Sequence, residues 1–548
     1  MGYPTKVQLI RRKQSQQWYV NFPAQVAQAM DFRAGEVVEW EIEDRGLMGL
    51  VRREVPESAL KKKTAGLLPE LERLADLCRG AFPQARTAER GRVQLLSQLA
   101  GLGRHTVTGN ICAAGRQFTN WNPDYRQFSQ ARGDADVIAG VILQETLEQQ
   151  DQTGPVVAAM DDSILRKRGR KTPGVSWRRD PLGPPFQVNF VRAQRFLQIS
   201  IALPQNRGPG PARMIPFDFL HAPTPPKPKK DAHPQEWKRY RQAQKQTNIT
   251  LRGAQRVKRL RDMLDQHARR GDSSPRNLWI AVDGRFTNQT LLRNLPANTA
   301  VIGRIRQDAK LFFSPQQHQQ PKAAGRKKAY GNIAPTPEQL RTDPNVPWQT
   351  VPVFAAGKMH DFKIKTLAPI LWKAAGAQKP LRLIVIAPLG YRPRKGSRIL
   401  YRQPAFLIAT DPDAPLENLL QAFVWRWEIE LNFRDEKQIV GVGEAQVRNQ
   451  NSVQAQPEFA TFAYAFLLIA ANRALNQCGQ TLPLPKWRKP SSQPRASTQV
   501  LINQLRAELW GKALGVENFG DFKKETAHDL KPQKLIPHLP SAVLYASA

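Results

Sequence analysis

The sequence predicts an α/β protein fronted by a small β unit, on three observations. From residue 155 onward, short apolar runs such as PVVAAMDD, LWIAVDG and LRLIVIAPL end in polar or turn residues, as buried strands do. Segments with apolar residues three and four apart, ALKKKTAGLLPELERLADLCRGAF and EFATFAYAFLLIAANRALNQ among them, read as helices. The first 55 residues alternate apolar and polar positions around turn residues, the pattern of hairpins.

Charge narrows the partner. Lys and Arg number 82 against 46 Asp and Glu, a formal net charge of +36 over 548 residues. A chain that is 41% hydrophobic can build a core, and one so basic fits a polyanion, nucleic acid first. No run of 18 apolar residues occurs, and MGYPTKVQLIRRKQ has no signal-peptide core, so no membrane role is expected. Cys78, Cys112 and Cys478 are few, odd in number and far apart. They exclude a disulfide framework and a thiolate zinc site, and they suit a reducing cytoplasm.

Along the chain, residues 1–56 read as strand, strand, helix, strand, strand, with AQVAQAMDF as the helix. Residues 57–150 read as helical, with a helix-turn-helix-like stretch whose Trp121, Tyr125 and Phe128 are expected in the core. Strands follow from 151, including FQVNFVRAQ and FLQISIALP as a hairpin turning near 194. Residues 222–262 hold 12 Lys and Arg against 3 Asp and Glu, either a helical arm along DNA or a solvated linker. Residues 311–400 carry β-rich segments, 401–480 two helices, and 481–548 a basic tail.

The chemistry concentrates in FVWRWEIELNFRDEKQ, residues 423–438. On a single helix at about 100° per residue, Glu430 falls about 40° from Arg426, Lys437 about 20° and Phe423 about 60°, all on one face. Glu428 and Asp435 fall opposite. Alone, this is a salt-bridge ladder on a solvated helix. Two strands that each run into acid, at Asp161-Asp162-Ser163 and at Asp283-Gly284-Arg285-Phe286, change the weighing. Three carboxylates from separate elements can hold two divalent cations about 3.5–4 Å apart, which activate an attacking oxygen and stabilise a leaving one on a phosphodiester. Mg²⁺ suits carboxylates combined with phosphate oxygens, and Mn²⁺ is expected to substitute.

The order Phe423, Arg426, Glu430, Lys437 resembles the Y-(2)-R-(3)-E-(6)-K signature of bacterial insertion-sequence DDE transposases, with Phe in place of Tyr. VDGRF and MDDS are similar to that family's two Asp motifs. The resemblance covers about 155–470 and implies a ribonuclease H-like mixed sheet, its core split into 151–310 and 401–480 around the β-rich insertion. It implies Asp162, Asp283 and Glu430 as metal-binding catalytic carboxylates, with Arg426 and Lys437 on the phosphate backbone. It further implies a homodimer on paired ends of double-stranded DNA. Relatives use aromatics of the insertion to hold a flipped base; Trp348 and Trp372 lie there but are expected in the core. LRKRGRK directly follows the first Asp motif, which makes Lys167, Arg168, Arg170 and Lys171 candidate DNA contacts. The first 56 residues resemble an AbrB-type swapped-hairpin module, through Phe22-Pro23, Gly35 and Trp40 to Ile42; that family binds DNA through residues placed like Lys6, Arg11, Arg12 and Lys13.

The function expected is a cytoplasmic DNA transposase that cleaves at terminal inverted repeats and transfers strands. Two other readings stand beside it: a non-catalytic DNA-binding regulator derived from a transposase, and a ribonuclease H-like nuclease without strand transfer. Retention of all three acids in strand and helix context separates the enzymes from the regulator.

Overall fold

The computed structural model describes residues 66–513 except 170, 181–182, 185, 206–207, 316–327, 395 and 478–494, together with four strands nearer the N-terminus. The chain divides into two compact units, Met1–Gly66 and Leu67–Ala548, the first running ten residues past the expected boundary at 56.

In the first unit, β1 (Val7–Arg12) pairs antiparallel with β2 (Ser15–Val20), and β3 (Val38–Ile42) with β4 (Met48–Arg52). These are the two hairpins that the alternation predicts. The helix expected at AQVAQAMDF, with Lys6, Lys13, Phe22, Pro23 and Gly35, lies outside the described residues.

The second unit opens with helices α1 (Leu67–Leu77), α2 (Ala85–Ala100), α3 (Val107–Ala113), α4 (Asn122–Ser129) and α5 (Ala135–Glu148). Local chemistry sets their starts: Asp134 accepts the backbone N–H of Asp136 and Val137 at the head of α5, and Thr106 caps α3. Phe128 is buried as expected. Trp121 and Tyr125 are not: they stand 46% and 39% exposed, edge to face with each other.

Strands β5 (Val156–Arg166), β6 (Ser176–Arg179), β7 (Phe190–Pro204) and β8 (Ala212–His221) come next, then helices α6 (Pro234–Gln246) and α7 (Ile249–Arg270). β9 (Leu278–Val282), the short helix α8 (Gln289–Arg293) and β10 (Thr299–Arg304) follow. The expected hairpin near 194 is instead one strand of 15 residues. Gln194-Arg195-Phe196 supplies no residue that favours a turn, and β5 pairs across the whole segment. The basic 222–262 segment is helical: α6 has no buried residue, whereas α7 buries Val257, Leu260 and Leu264 against the sheet. Gly253 lets α7 approach β5 closely, since a Cβ there would sit 2.9 Å from Met160 Sδ.

β8-β7-β5-β9-β10 is the heart of the molecule. β7 runs antiparallel to both β5 and β8, and β9 and β10 continue the sheet parallel to β5. This is a ribonuclease H-like mixed sheet with helices on both faces. The segment expected as an insertion does not leave the sheet. β11 (Leu311–Phe312), β12 (Ile333–Ala334), helix α9 (Pro337–Thr342), β13 (Gln349–Ala355), β14 (Lys358–Trp372) and β15 (Gly376–Ile386) precede a two-residue ladder of β16 (Gly390–Tyr391) with β17 (Leu400–Tyr401) and then β18 (Ala405–Ala409). β18 pairs with β10, β15 with β18 and β14 with β15, so one sheet of twelve strands results. Their near-continuous apolar runs, LRLIVI and AFLIA, are what strands covered on both faces require.

Helices α10 (Leu416–Trp425) and α11 (Glu428–Gln438) cover one face, packing Leu419, Leu420, Ile429 and Phe433 on Val157, Ala159 and Ile302. The other face carries Ala158, Met160 and Ile280 against α5 and α7. Helix α12 (Ser452–Ala471) is long and apolar enough to cross a membrane, yet it packs on β8, α1, α2 and α5 as a core helix. Helix α13 (Thr498–Ala513) closes the described chain.

Candidate active site

Register decides which acids meet. β5 and β9 pair in parallel from Val156 with Leu278 to Met160 with Val282; one residue further sets Asp161 beside Asp283. Registered neighbours in a sheet point to the same side, and successive residues to opposite sides. Asp161 and Asp283 therefore share the face covered by α10 and α11, and Asp162 turns to the other. The cleft at these strand ends, about 830 Å³, is lined by Asp161, Asp283, Glu430, Arg426, Trp427 and Trp372, with Arg304 and Arg306 at its side. Asp162 is absent from that lining: it accepts from Arg285 Nη1 at 2.9 and 3.2 Å. The first acid in the cleft is thus Asp161, where the sequence reading had Asp162.

The third acid arrives on a broken helix rather than the single one expected over 423–438. At the junction, N–H groups of Arg426, Trp427, Ile429 and Glu430 donate three residues back, to Phe423, Val424, Arg426 and Trp427. That tightened turn separates α10 from α11 but keeps Arg426 and Glu430 adjacent. The Arg426 guanidinium lies 3.5 Å from Asp161 Oδ2 and 3.4 Å from Glu430 Oε1, between the two carboxylates. Phe423 supports it, the ring centroid 5.7 Å from Arg426 Cζ, a contact that needs no hydroxyl. Lys437 reaches Ser163, which shares the Asp161 face of β5, and donates to its hydroxyl. Glu428 pairs with Arg495, and Asp435 is buried with Thr498, both away from the cleft as the wheel predicts.

Burial and crowding leave their mark on the acids. Asp161 is pushed up to about 7 by burial and by the neighbouring Asp283 charge, with Arg426 opposing. Burial also raises Glu430, against the pull of Arg426. Carboxylates held this way are hard oxygen donors in need of positive charge, which is the donor set of a divalent cation. Among the described residues no three acids close into one ligand group, and Glu430 is drawn to Arg426.

The remaining predicted contacts divide. Lys167 is not at the surface: its ammonium donates to the carbonyls of Gly443 and Ala445 at 2.7 and 2.8 Å, and it is 3% exposed. Arg168 and Lys171 are exposed, and Arg170 lies outside the described residues. Trp348 lies under the Lys365 ammonium, and Trp372 is half-buried at the cleft wall. Sequence reasoning missed Arg285, Arg304, Arg306 and Trp427. Arg285 had a signal, since it sits two residues past a strand-end Asp.

No curated protein matches this chain. A family model, described as DDE superfamily endonuclease, matches residues 79–357, just over half of the 548 residues. The match takes in Asp161 and Asp283 and stops before the Glu430 helix. Members of that family act on DNA and generally depend on a divalent metal. With its ribonuclease H-like sheet and its acids on adjacent strand ends, the chain belongs to the DDE superfamily of endonucleases.

Proposed function

We propose that this protein is a DNA transposase, cutting at the ends of a mobile element and joining them to target DNA, with Asp161, Asp283 and Glu430 as the metal-binding acids. The observation that carries the proposal is the meeting of these three acids in one cleft, with Arg426 spanning the first and third. Mg²⁺ bound by the three would lower the barrier to attack of water or a 3′-hydroxyl on a phosphodiester. The chain's own groups do the rest. Arg426 and Lys437 hold backbone phosphates on the cleft face of β5, and Trp427, 59% exposed, offers a flat surface to the DNA at the cleft. The N-terminal hairpin unit adds DNA binding or dimerisation.

The test uses purified protein, Mg²⁺ and DNA carrying the inverted repeats that flank its gene. Wild type nicks at the repeat ends and joins them to a target duplex; Glu430→Gln binds the same DNA and does neither. Full cleavage by Glu430→Gln would remove the assignment. Cleavage without joining would leave a nuclease.

A further inference from the structure

On its own side of the sheet Asp162 is surrounded by cations. In β7, Val191, Ala193, Arg195 and Leu197 share its face, and Arg178 of β6 pairs with Val191 on that face. Arg285 reaches in from the Asp283 turn to bond Asp162. Arg252 of α7 donates to the His221 carbonyl at 3.2 Å and adds its charge to that felt by Arg195. Three guanidiniums, those of Arg285, Arg195 and Arg178, thus act on one carboxylate, with Arg252 behind them at Arg195.

The cluster is built into the fold. Arg195 is 7% exposed and donates to the Ala222 carbonyl. Burial and the other three arginines bring it down to about 10. Arg178 Nε and His221 Nε2 are buried with no hydrogen-bond partner. Buried cations in excess of their counter-charges are costly, and a guanidinium fork matches a phosphate. The cluster opens to solvent through Arg285, which is 51% exposed. The chain flanking it adds exposed Lys171 and Arg179, which suits a continuous strand of phosphates better than a free anion.

We propose that Arg178, Arg195, Arg252 and Arg285 seat a backbone phosphate of the DNA on the opposite face of β5 from the cutting cleft, with Asp162 as the resident counter-ion. The proposal rests on the reading of the chain as a DNA-cutting enzyme. It gives the two adjacent acids opposite duties, Asp161 toward the metal and Asp162 toward the cations that grip the strand.

The test is anisotropy of a labelled duplex titrated with the full-length protein in EDTA over a series of KCl concentrations. Arg178→Gln and Arg285→Gln each lower the slope of log affinity against log salt by about 0.9, one phosphate contact's worth. Arg178→Lys keeps the slope, and Asp162→Asn tightens binding. Wild-type slopes in both Gln variants, with circular dichroism showing them folded, would overturn the proposal. So would weaker binding by Asp162→Asn. Pyrophosphate at constant ionic strength separates the sources: if it raises the melting temperature of wild type but not of Arg178→Gln while the DNA slope is unchanged, the site takes a free anion and the proposal fails. If wild type binds no DNA at any salt, the DNA-cutting reading falls too. If DNA binds and Glu430→Gln loses cleavage while the slopes stay put, only this phosphate site falls.

Discussion

Asp161 and Asp162 differ by one position on a strand, and that position sets their chemistry. Asp161 faces Asp283 and Arg426; Asp162 faces Arg285. Asp161→Asn is expected to cut cleavage by about a hundredfold or more, the rate equivalent of several kcal/mol of metal-borne stabilisation, while Asp162→Asn still cuts. A gel assay of nicked product decides, and the reverse result would return the role to Asp162. Glu436 carries a second residue-scale prediction. It is buried on α11, accepts from Gln198 Nε2 at 2.9 Å, and is raised by burial from 4.5 to about 8. Between those values the folded chain holds a proton that the unfolded chain has lost. Its effect favours folding most below about pH 4.5 and is lost as pH rises to about 8. Glu436→Gln cannot titrate, so its melting temperature relative to wild type should climb from pH 5 to pH 8, as scanning calorimetry at a series of pH values would record. A constant difference across that range would contradict the shift.

At the scale of elements, the end of β5 is fastened to the turn that follows α11. Gly441 and Gly443 adopt φ of +74° and +97°, a region that favours glycine, and the turn they shape presents two carbonyls to the Lys167 ammonium. The bond ties the strand of the first acid to the helix of the third. Lys167→Met should leave those carbonyls unpaired and lower stability by about 2–4 kcal/mol, read as a shift in the urea midpoint. A DNA-contacting lysine would instead lose affinity with its midpoint unmoved. The broken helix has the same logic: the tightened turn at 426–427 aims Arg426 between two acids while α11 goes on to carry Lys437 to Ser163.

For the whole molecule, a net charge of +36 implies strong, salt-dependent attraction to DNA whatever its sequence. On the proposed transposase reading, selection of a particular end comes from shaped surfaces, and we propose that the N-terminal hairpin unit, a compact unit of its own, serves that task. Deleting Met1–Gly66 should weaken binding to the element's ends at least about tenfold, or convert a dimer to a monomer in sedimentation, while the remaining chain keeps its melting temperature. Unchanged affinity and unchanged mass together would leave the unit without a DNA role.

The sequence by itself determined the α/β class, the polyanionic partner, the N-terminal hairpins, and the two carboxylate-bearing elements Asp283 and Glu430. Each is a local or compositional property: an apolar run ending in acid, a charge sum, a spacing on one helix. It even held the key to Asp161, since VVAAM and LWIAV are both five apolar residues followed at once by Asp. What only the tertiary structure decided was pairing. Register placed Asp161 rather than Asp162 beside Asp283. Two-sided burial kept β7 whole through residue 194 and drew the strands of 311–400 into the central sheet. The Gly441–Ala445 turn took Lys167 out of reach of DNA. A strand's period of two makes facing depend on its neighbour's alignment, and no single segment contains its neighbour.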